Sequence, residues 1–471
     1  MNVLILMSDE QRIDTLGCYG NTQASTPNLD ALAANGIRFD HCVTPYPLCC
    51  PARCSLWTGS LPHQHHVIAN WVALNPAMRD TGMVQDFSKA GYHTMYIGKW
   101  HVPGTTPNRM GFAQQACIPA VLEGRDRGRY IEEYRDYVTE KGYTPIPGNI
   151  ENLTKADEEK RIGGGIHCGT SEYALEDYLE EWQTRRFLEE METRPKDKPF
   201  FAVCSYNAPH FPMIVPEPYD KLISPEDVKL PENFCIGAEG KPEHMLKAMG
   251  YEHTSRVSKE DWQKLIAHYW GLCSLVDTQV GRIVQYLKDH DLYEDTLIVY
   301  TSDHGDMIGS HGLNHKSGLM QYDETNLVPL IMAGPCIGEK QSKQMLVSLA
   351  DLMPTIAELC QVPIAQPLYG RSFAAPLQAQ EDTFRDYTVS EGFLPRDGQH
   401  RPIIMAIRTQ TEKYIYHQDR AEEFYDLVAD PGENYNMIGD VQVEAFRNIV
   451  LQELSDTPAL QGLVAADMKN R

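Results

Sequence analysis

The sequence predicts an α/β protein: a three-layer sandwich around a large, mostly parallel sheet, followed by a small C-terminal α+β domain with an antiparallel sheet. Three observations carry this. Short continuous apolar runs recur along the first 350 residues, helical patterns separate them, and the patterning changes after residue 370. Runs of this length without polar alternation mark strands buried on both faces, and helices between them supply the crossovers of a parallel sheet.

The first run is "VLILM" (3–7), followed by "HTMYIG" (93–98), "FFAVCSY" (200–206), "TLIVYTS" (296–302) and "VPLIMAG" (328–334). The clearest helix spans 258–287, where Leu265, Tyr269, Leu272, Val276, Val280, Ile283 and Leu287 recur at steps of three and four and make one apolar stripe. Ser258 and Asp261 predict its capping box. Further on, "RPIIMAIRTQTEKYIYHQ" (401–418) predicts two antiparallel strands with a polar turn, and "EAFRNIVLQELSD" (444–456) a closing helix. A chain of 471 residues exceeds what one core usually serves. The expected units are 1–370 and 381–471, with the Pro- and Gln-rich "QVPIAQPLYG" (361–370) at the junction.

A hydrophobic fraction of 42% fits a globular protein, and a formal charge of -23 excludes nucleic acid as a general partner, because phosphate binding needs a basic face. The N-terminus "MNVLILMSDEQR" has no basic start, and its apolar run is too short for a signal peptide or a membrane span. That predicts a cytoplasmic protein without membrane contact. Twelve cysteines in so long a chain make no disulfide scaffold; a reducing compartment is expected to keep most of them as buried thiols. Cys42, Cys49, Cys50 and Cys54 crowd together without the paired spacing of a zinc site.

Ligands of parallel α/β sheets gather at the carboxyl ends of the strands, so the polar residues that follow the apolar runs are the candidates. They are Asp9 and Glu10, Lys99 and His101, His210, and Asp303 and His304. Asp9, Glu10, Asp303 and His304 gather three carboxylates and an imidazole. Packed together without a cation, the carboxylates would be driven towards protonation. A divalent metal removes the difficulty, and oxygen-rich ligation favours calcium, with magnesium or manganese as alternatives. A second motif is "PLCCPARCSLWTG" (47–59). Pro51 suits the start of a helix and Gly59 its end, which puts Cys49 at the amino end, where free N–H groups favour an anion.

Cys49-Cys50-Pro51-Ala52-Arg53, followed by Leu56, Thr58 and Gly59, resembles the signature of the type I sulfatases, members of the alkaline phosphatase-like superfamily. The opening "NVLILMSDEQR", then "GYHTMYIGKWH" (91–101), "NAPHFP" (207–212), "TSDHGDMIGSHGLNHK" (301–316) and "EEFYDLVADPGENYN" (422–436), resemble further blocks in the family's order. The resemblance implies that a maturation enzyme reads Pro51 and Arg53 and oxidises Cys49 to formylglycine. The hydrated aldehyde then offers one oxygen to attack sulfur and a second to expel sulfate.

The other roles follow from the same resemblance. Asp9, Glu10, Asp303 and His304, with residue 49, hold the metal; Arg53 orients the diol; Lys99 and Lys316 bind sulfate oxygens. His101 positions or deprotonates the diol, and His210 protonates the departing alcohol. Many sulfatases have Asp in place of Glu10 and Asn in place of His304. The expected substrate is a sulfated mono- or short oligosaccharide, with an aryl or choline-type sulfate as the alternative. A phosphonate or phosphate ester hydrolase of the same superfamily is the nearest rival, and "GKWH" (98–101) speaks against it. An unmodified binding homologue is the non-enzymatic rival, opposed by the cost of burying so many charges. His311 is a candidate for a supporting role. The stretch 118–170, with Arg125, Arg127 and Arg129 near Tyr130 and Tyr134, is expected to line the substrate mouth.

Overall fold

The computed structural model describes residues 1–118, 132–144, 161–162, 166–234, 236–338, 341–365, 369–394 and 402–469. Its fifteen strands are β1 (Asn2–Ser8), β2 (Ile37–Val43), β3 (His93–Lys99), β4 (Gln114–Ile118), β5 (Arg161–Ile162), β6 (Ile166–Thr170), β7 (Phe200–Ser205), β8 (Met213–Val215), β9 (Thr296–Ser302), β10 (Leu330–Ala333), β11 (Gln341–Ser348), β12 (Thr388–Phe393), β13 (Ile403–Arg408), β14 (Glu412–His417) and β15 (Glu423–Asp426). Eight of them form the central sheet in the order β11-β2-β10-β9-β1-β7-β3-β4. All five runs expected to be strands lie in it.

Every neighbouring pair in that sheet is parallel except those made by β10, which runs against both β2 and β9. This reversal matters for function. The connection from Ser302 to Leu330 leaves β9 at its carboxyl end and enters β10 at the same edge of the sheet, so the whole of it stays there. Residues of β1 are buried on both faces, as the unalternated run requires: Leu4 and Leu6 join one core, Val3, Ile5 and Met7 the other. The first core is closed by the helix Lys259–Asp289, whose seven stripe residues are all buried in it. Ser258 Oγ accepts the Asp261 N–H at 3.0 Å, which is one half of the expected capping box.

Strands β12 to β15 form a separate antiparallel sheet, and the helices Glu444–Glu453 and Pro458–Lys469 share a core with it. A small third sheet joins β5, β6 and β8. Arg125, Arg127, Arg129 and Tyr130 lie outside the described residues. Tyr134 does not belong to a substrate mouth: it is buried in the core, its ring 5.4 Å from that of Trp182 and its hydroxyl donating to the Asp177 carbonyl at 3.0 Å. Among the described residues no helix is long and apolar enough to cross a membrane, and Cys18, Cys42, Cys49, Cys50, Cys54, Cys168, Cys204, Cys273, Cys336 and Cys360 are free thiols.

The antiparallel sheet is fastened beside the Cys49 segment by His63. Glu391 on β12 accepts from His63 Nδ1 at 2.5 Å and from its backbone N–H at 2.9 Å, while His63 Nε2 meets Asp456 at 3.1 Å. Burial opposes a charge on this imidazole, but Glu391 and Asp456 outweigh it and raise its pKa to about 9. A folded-state pKa above the ordinary value of about 6.5 gives stability that is complete below that value and is lost as pH rises through 9. Unfolding free energies from denaturant titration are therefore expected to fall between about pH 7 and 10, by up to about 3 kcal/mol from this group. The His63→Gln protein should show a shallower fall, and an identical pH profile in the two proteins would refute the latch.

Candidate active site

The helix Cys49–Thr58 follows β2 and is buried along its whole length. Cys49 is its first residue and Pro51 its third, two places further in than a proline start predicts. The position still suits proline, because N–H groups of the first turn have no partner within the helix. Gly59 ends it at φ 62°, with its N–H donating to the Ser55 carbonyl at 2.9 Å. Arg53 comes one turn after Cys49 and shares its face.

Arg53 is fully buried and ties together the carboxyl ends of four adjacent strands. Nε donates to Asp303 Oδ2 at 2.7 Å, past β9, and Nη2 to Asp9 Oδ2 at 3.1 Å, past β1. Nη1 donates to the Lys99 carbonyl at 2.7 Å, on β3, and to Ser205 Oγ at 2.9 Å, on β7. Cys49 Sγ lies 3.2 Å from His304 Nε2, 3.8 Å from Asp9 Oδ1 and 4.0 Å from Lys99 Nζ. Lys99 also pairs with Asp9. The other half of the site is built on Glu10, which sits at φ 67°, a region a residue with a Cβ enters only at a cost. That turn lets its N–H donate to Asp303 Oδ1 at 3.1 Å while its carboxylate pairs with Lys316 and lies 3.4 Å from His210 Nε2.

Eight of the nine residues picked out at the strand ends and in the cysteine motif are joined directly by these contacts. The ninth, His101, is half-buried, its buried Nδ1 has no hydrogen-bond partner and it feels the charges of Lys99, Asp9, Arg53 and Lys316, but among the described residues it makes no hydrogen bond to Cys49. His311 stands apart. Its Nε2 meets Asn233 Nδ2 at 3.2 Å and its ring packs near Tyr322, as a loop histidine does.

Burial and charge set the protonation pattern. Burial pushes the Cys49 thiol up to about 11, with Asp9 adding to it. Burial also works against the Asp9 carboxylate, yet Lys99, His210 and Arg53 hold its pKa well below the usual range. Burial lifts Glu10 well above that range despite Lys316. Burial depresses His101, His210 and His304, so all three imidazoles favour the neutral form.

These residues fit one hard divalent cation. Donor atoms of Asp9, Cys49, Asp303 and His304 lie within 4.8 Å of one another, and Glu10 Oε1 is buried without a hydrogen-bond partner. His304 Nδ1 contacts the Gly305 carbonyl at 2.9 Å; a carbonyl only accepts, so Nδ1 carries the proton and the Nε2 lone pair is free to ligate. A divalent cation beside Glu10 would hold it ionised against its burial; Asp9, Glu10, Asp303 and Asp306 would then set four negative charges against Arg53, Lys99 and Lys316, leaving one. One divalent cation and a singly charged ester anion make the site neutral; a second such cation would not.

Sequence reasoning missed two supporting residues. Asn70 Oδ1 accepts the Cys50 N–H at 3.1 Å and its carbonyl lies 3.6 Å from Cys50 Sγ, steadying the start of the cysteine helix. No motif marks it. Asp306 Oδ1 accepts the N–H groups of Ile308 at 2.6 Å and His315 at 3.2 Å, which folds the loop that delivers Lys316. It lies inside "TSDHGDMIGSHGLNHK", but nothing in that block separates it from its neighbours.

Comparison with known proteins agrees with this arrangement. A family model described as Sulfatase matches residues 1–362, and one described as N-sulphoglucosamine sulphohydrolase, C-terminal, matches 309–459. An arylsulfatase of Clostridium perfringens (strain 13 / Type A) is 28% identical, covering 96% of this chain and 94% of its own. An N-acetylglucosamine-6-O-sulfatase of Bacteroides thetaiotaomicron is 25% identical, covering 97% and 86%. Among solved structures, a phosphonate monoester hydrolase of Agrobacterium radiobacter superposes with a TM-score of 0.80 at 24% identity, covering 98% of this chain and 96% of that one. With the first family model spanning both the cysteine helix and the loop that carries Asp303, His304 and Lys316, the chain belongs to the sulfatase family of sulfuric ester hydrolases.

Proposed function

We propose that the protein hydrolyses the sulfate ester of a mono- or short oligosaccharide, using formylglycine made from Cys49 by a maturation enzyme and one divalent cation, calcium by preference. The carrying observation is that Cys49 Sγ, at the amino end of its helix, lies 3.2 Å from His304 Nε2 inside the Asp9–Asp303–Arg53 ion-pair cluster. Asp9, Glu10, Asp303 and His304, with residue 49, would hold the cation, which supplies Lewis acidity to the sulfate oxygens. The hydrated aldehyde supplies one oxygen to attack sulfur and a second whose collapse releases sulfate.

The chain's own side chains do the rest. Arg53 fixes Asp9 and Asp303 and so the orientation of residue 49 between them. Lys99 and Lys316 bracket the sulfate and balance the charge that grows on its oxygens. His101, neutral and with a free Nδ1, takes the proton from residue 49. His210 protonates the departing alcohol. After burial, the charges that disfavour its protonated form are those of Lys316 and Lys99, and a bound sulfate anion between the two lysines offsets that push. The sugar assignment draws on the N-acetylglucosamine-6-O-sulfatase relative, and the aryl alternative on the arylsulfatase of Clostridium perfringens.

Mass spectrometry of the peptide carrying Cys49 tests the first half of this reading. Conversion lowers its mass, and fully active native protein with an intact thiol would overturn the mechanism. Turnover of sulfated sugars, an aryl sulfate and a matching phosphonate monoester tests the second half. The phosphonate hydrolase of similar fold makes that last substrate the specific rival, and faster phosphonate than sulfate hydrolysis would establish it.

His210 should be separable by leaving group. The His210→Ala enzyme is expected to lose about 10²–10⁴-fold in kcat on a sugar sulfate, whose alkoxide needs a proton. On 4-nitrophenyl sulfate, whose phenolate leaves unaided, the loss should be at least about tenfold smaller. Equal losses on both esters would remove His210 as the acid.

A further inference from the structure

We propose that Phe211 forms the apolar wall of the leaving-group subsite and gives the enzyme a preference for alcohols that carry a ring. The proposal rests on the assignment of His210 to the leaving oxygen. Phe211 is 37% exposed and belongs to no hydrophobic core among the described residues. Its partners are instead polar groups of the site. The His210 ring lies 4.4 Å away and nearly parallel, the His315 ring 4.4 Å away, and Lys316 Nζ 4.5 Å from the ring centroid. A large apolar side chain held half in water beside an ammonium and two imidazoles does little for the core; it offers surface to something that arrives from solvent.

The geometry limits what that is. The sulfur must lie near Cys49 and the sulfate oxygens between Lys99 and Lys316, while the bridging oxygen must come within hydrogen-bond reach of His210 Nε2. The carbon bonded to that oxygen therefore emerges beside the ring stacked on His210. A pyranose presents a C–H face and ring edge of suitable extent to cover Phe211, whereas a one-carbon alcohol ends before it gains any contact. An aryl alcohol shares the flat apolar face, and the sugar is favoured because His210 is placed to protonate a poor leaving group that an aryl ester does not need.

The test compares wild-type, Phe211→Ala and Phe211→Trp proteins on a pyranose sulfate, 4-nitrophenyl sulfate and methyl sulfate. Phe211→Ala is expected to lower the ratio of kcat/KM for pyranose sulfate over methyl sulfate about tenfold, mainly through KM, which is what burying roughly 50 Å² of apolar surface supplies. Phe211→Trp should restore the ratio. Equal losses on the ringed and ringless esters, or a loss confined to kcat, would reduce Phe211 to a support for His210 and Lys316 and overturn the proposal. A drop confined to the aryl ester would overturn the sugar assignment. Wild-type protein that turns over no sulfate ester refutes the proposed function itself, so the two failures are distinguishable.

Discussion

Replacing Cys49 with alanine is expected to abolish sulfate ester hydrolysis, by about 10⁴-fold or more, while leaving a folded protein. The loss is total because no neighbour can substitute. Arg53, Lys99 and Lys316 have no basic lone pair while charged, and the nearest carboxylates are engaged with them. Folding should survive, because the thiol makes no strong hydrogen bond and its removal leaves a void of one sulfur atom beside polar groups that admit water. The Cys50→Ala protein is the control. Cys50 is equally buried, but its backbone and sulfur are turned to Asn70, and its spacing to Pro51 and Arg53 is off by one. Activity retained in Cys49→Ala, or lost only in Cys50→Ala, would place the reactive residue wrongly. Unchanged circular dichroism and denaturant midpoint would show that Cys49→Ala loses chemistry and not structure.

How much of this was legible beforehand depends on what each residue reports locally. Strands β1, β3, β7, β9 and β10 announce themselves because both of their faces are buried, so each carries an unbroken apolar run in its middle. Strands β2 and β11 are mixed with Arg38, Asp40 and Lys343, and a run broken by charges does not read as part of a buried sheet. The reversed direction of β10 was equally invisible, since an apolar run carries no orientation. Asp9, Glu10, Lys99, Asp303 and His304 could be picked out as a site because they stand at the carboxyl ends of three apolar runs, and strand ends collect ligands. What could not be seen was the order β9-β1-β7-β3, which is what brings Asp303, Asp9, Ser205 and the Lys99 carbonyl within reach of one guanidinium. Asn70 and Phe211 act through position alone: neither residue type nor spacing distinguishes them. Tyr134 shows the converse error, since a tyrosine close to arginines in sequence was core in space.

Arg53 is the residue on which that strand order converges, and Arg53→Met is expected to destabilise the protein by about 3–5 kcal/mol as well as abolish turnover. The side chain volume is nearly kept, so the cost is not a cavity. It comes from leaving Asp9 and Asp303 buried at 0% exposure with one cation fewer between them and from depriving the Ser205 hydroxyl of its Arg53 donor, while the Lys99 carbonyl keeps only the Tyr96 hydroxyl. Arg53→Lys keeps the charge but not the fork. One ammonium has three donors and no fixed plane, so it cannot serve four acceptors spread over four strands, and it should recover part of the stability and little of the activity. Calcium separates electrostatics from packing. A site deprived of one positive charge binds a divalent cation more tightly, and a ligand that binds only the folded state stabilises in proportion to its affinity. The rise in unfolding midpoint on adding calcium should therefore be larger for Arg53→Met than for the wild type, and larger than for Arg53→Lys. A calcium effect of equal size in all three proteins would mean that the guanidinium and the cation do not share the Asp9 and Asp303 carboxylates, and the charge argument for a single metal would fall with it.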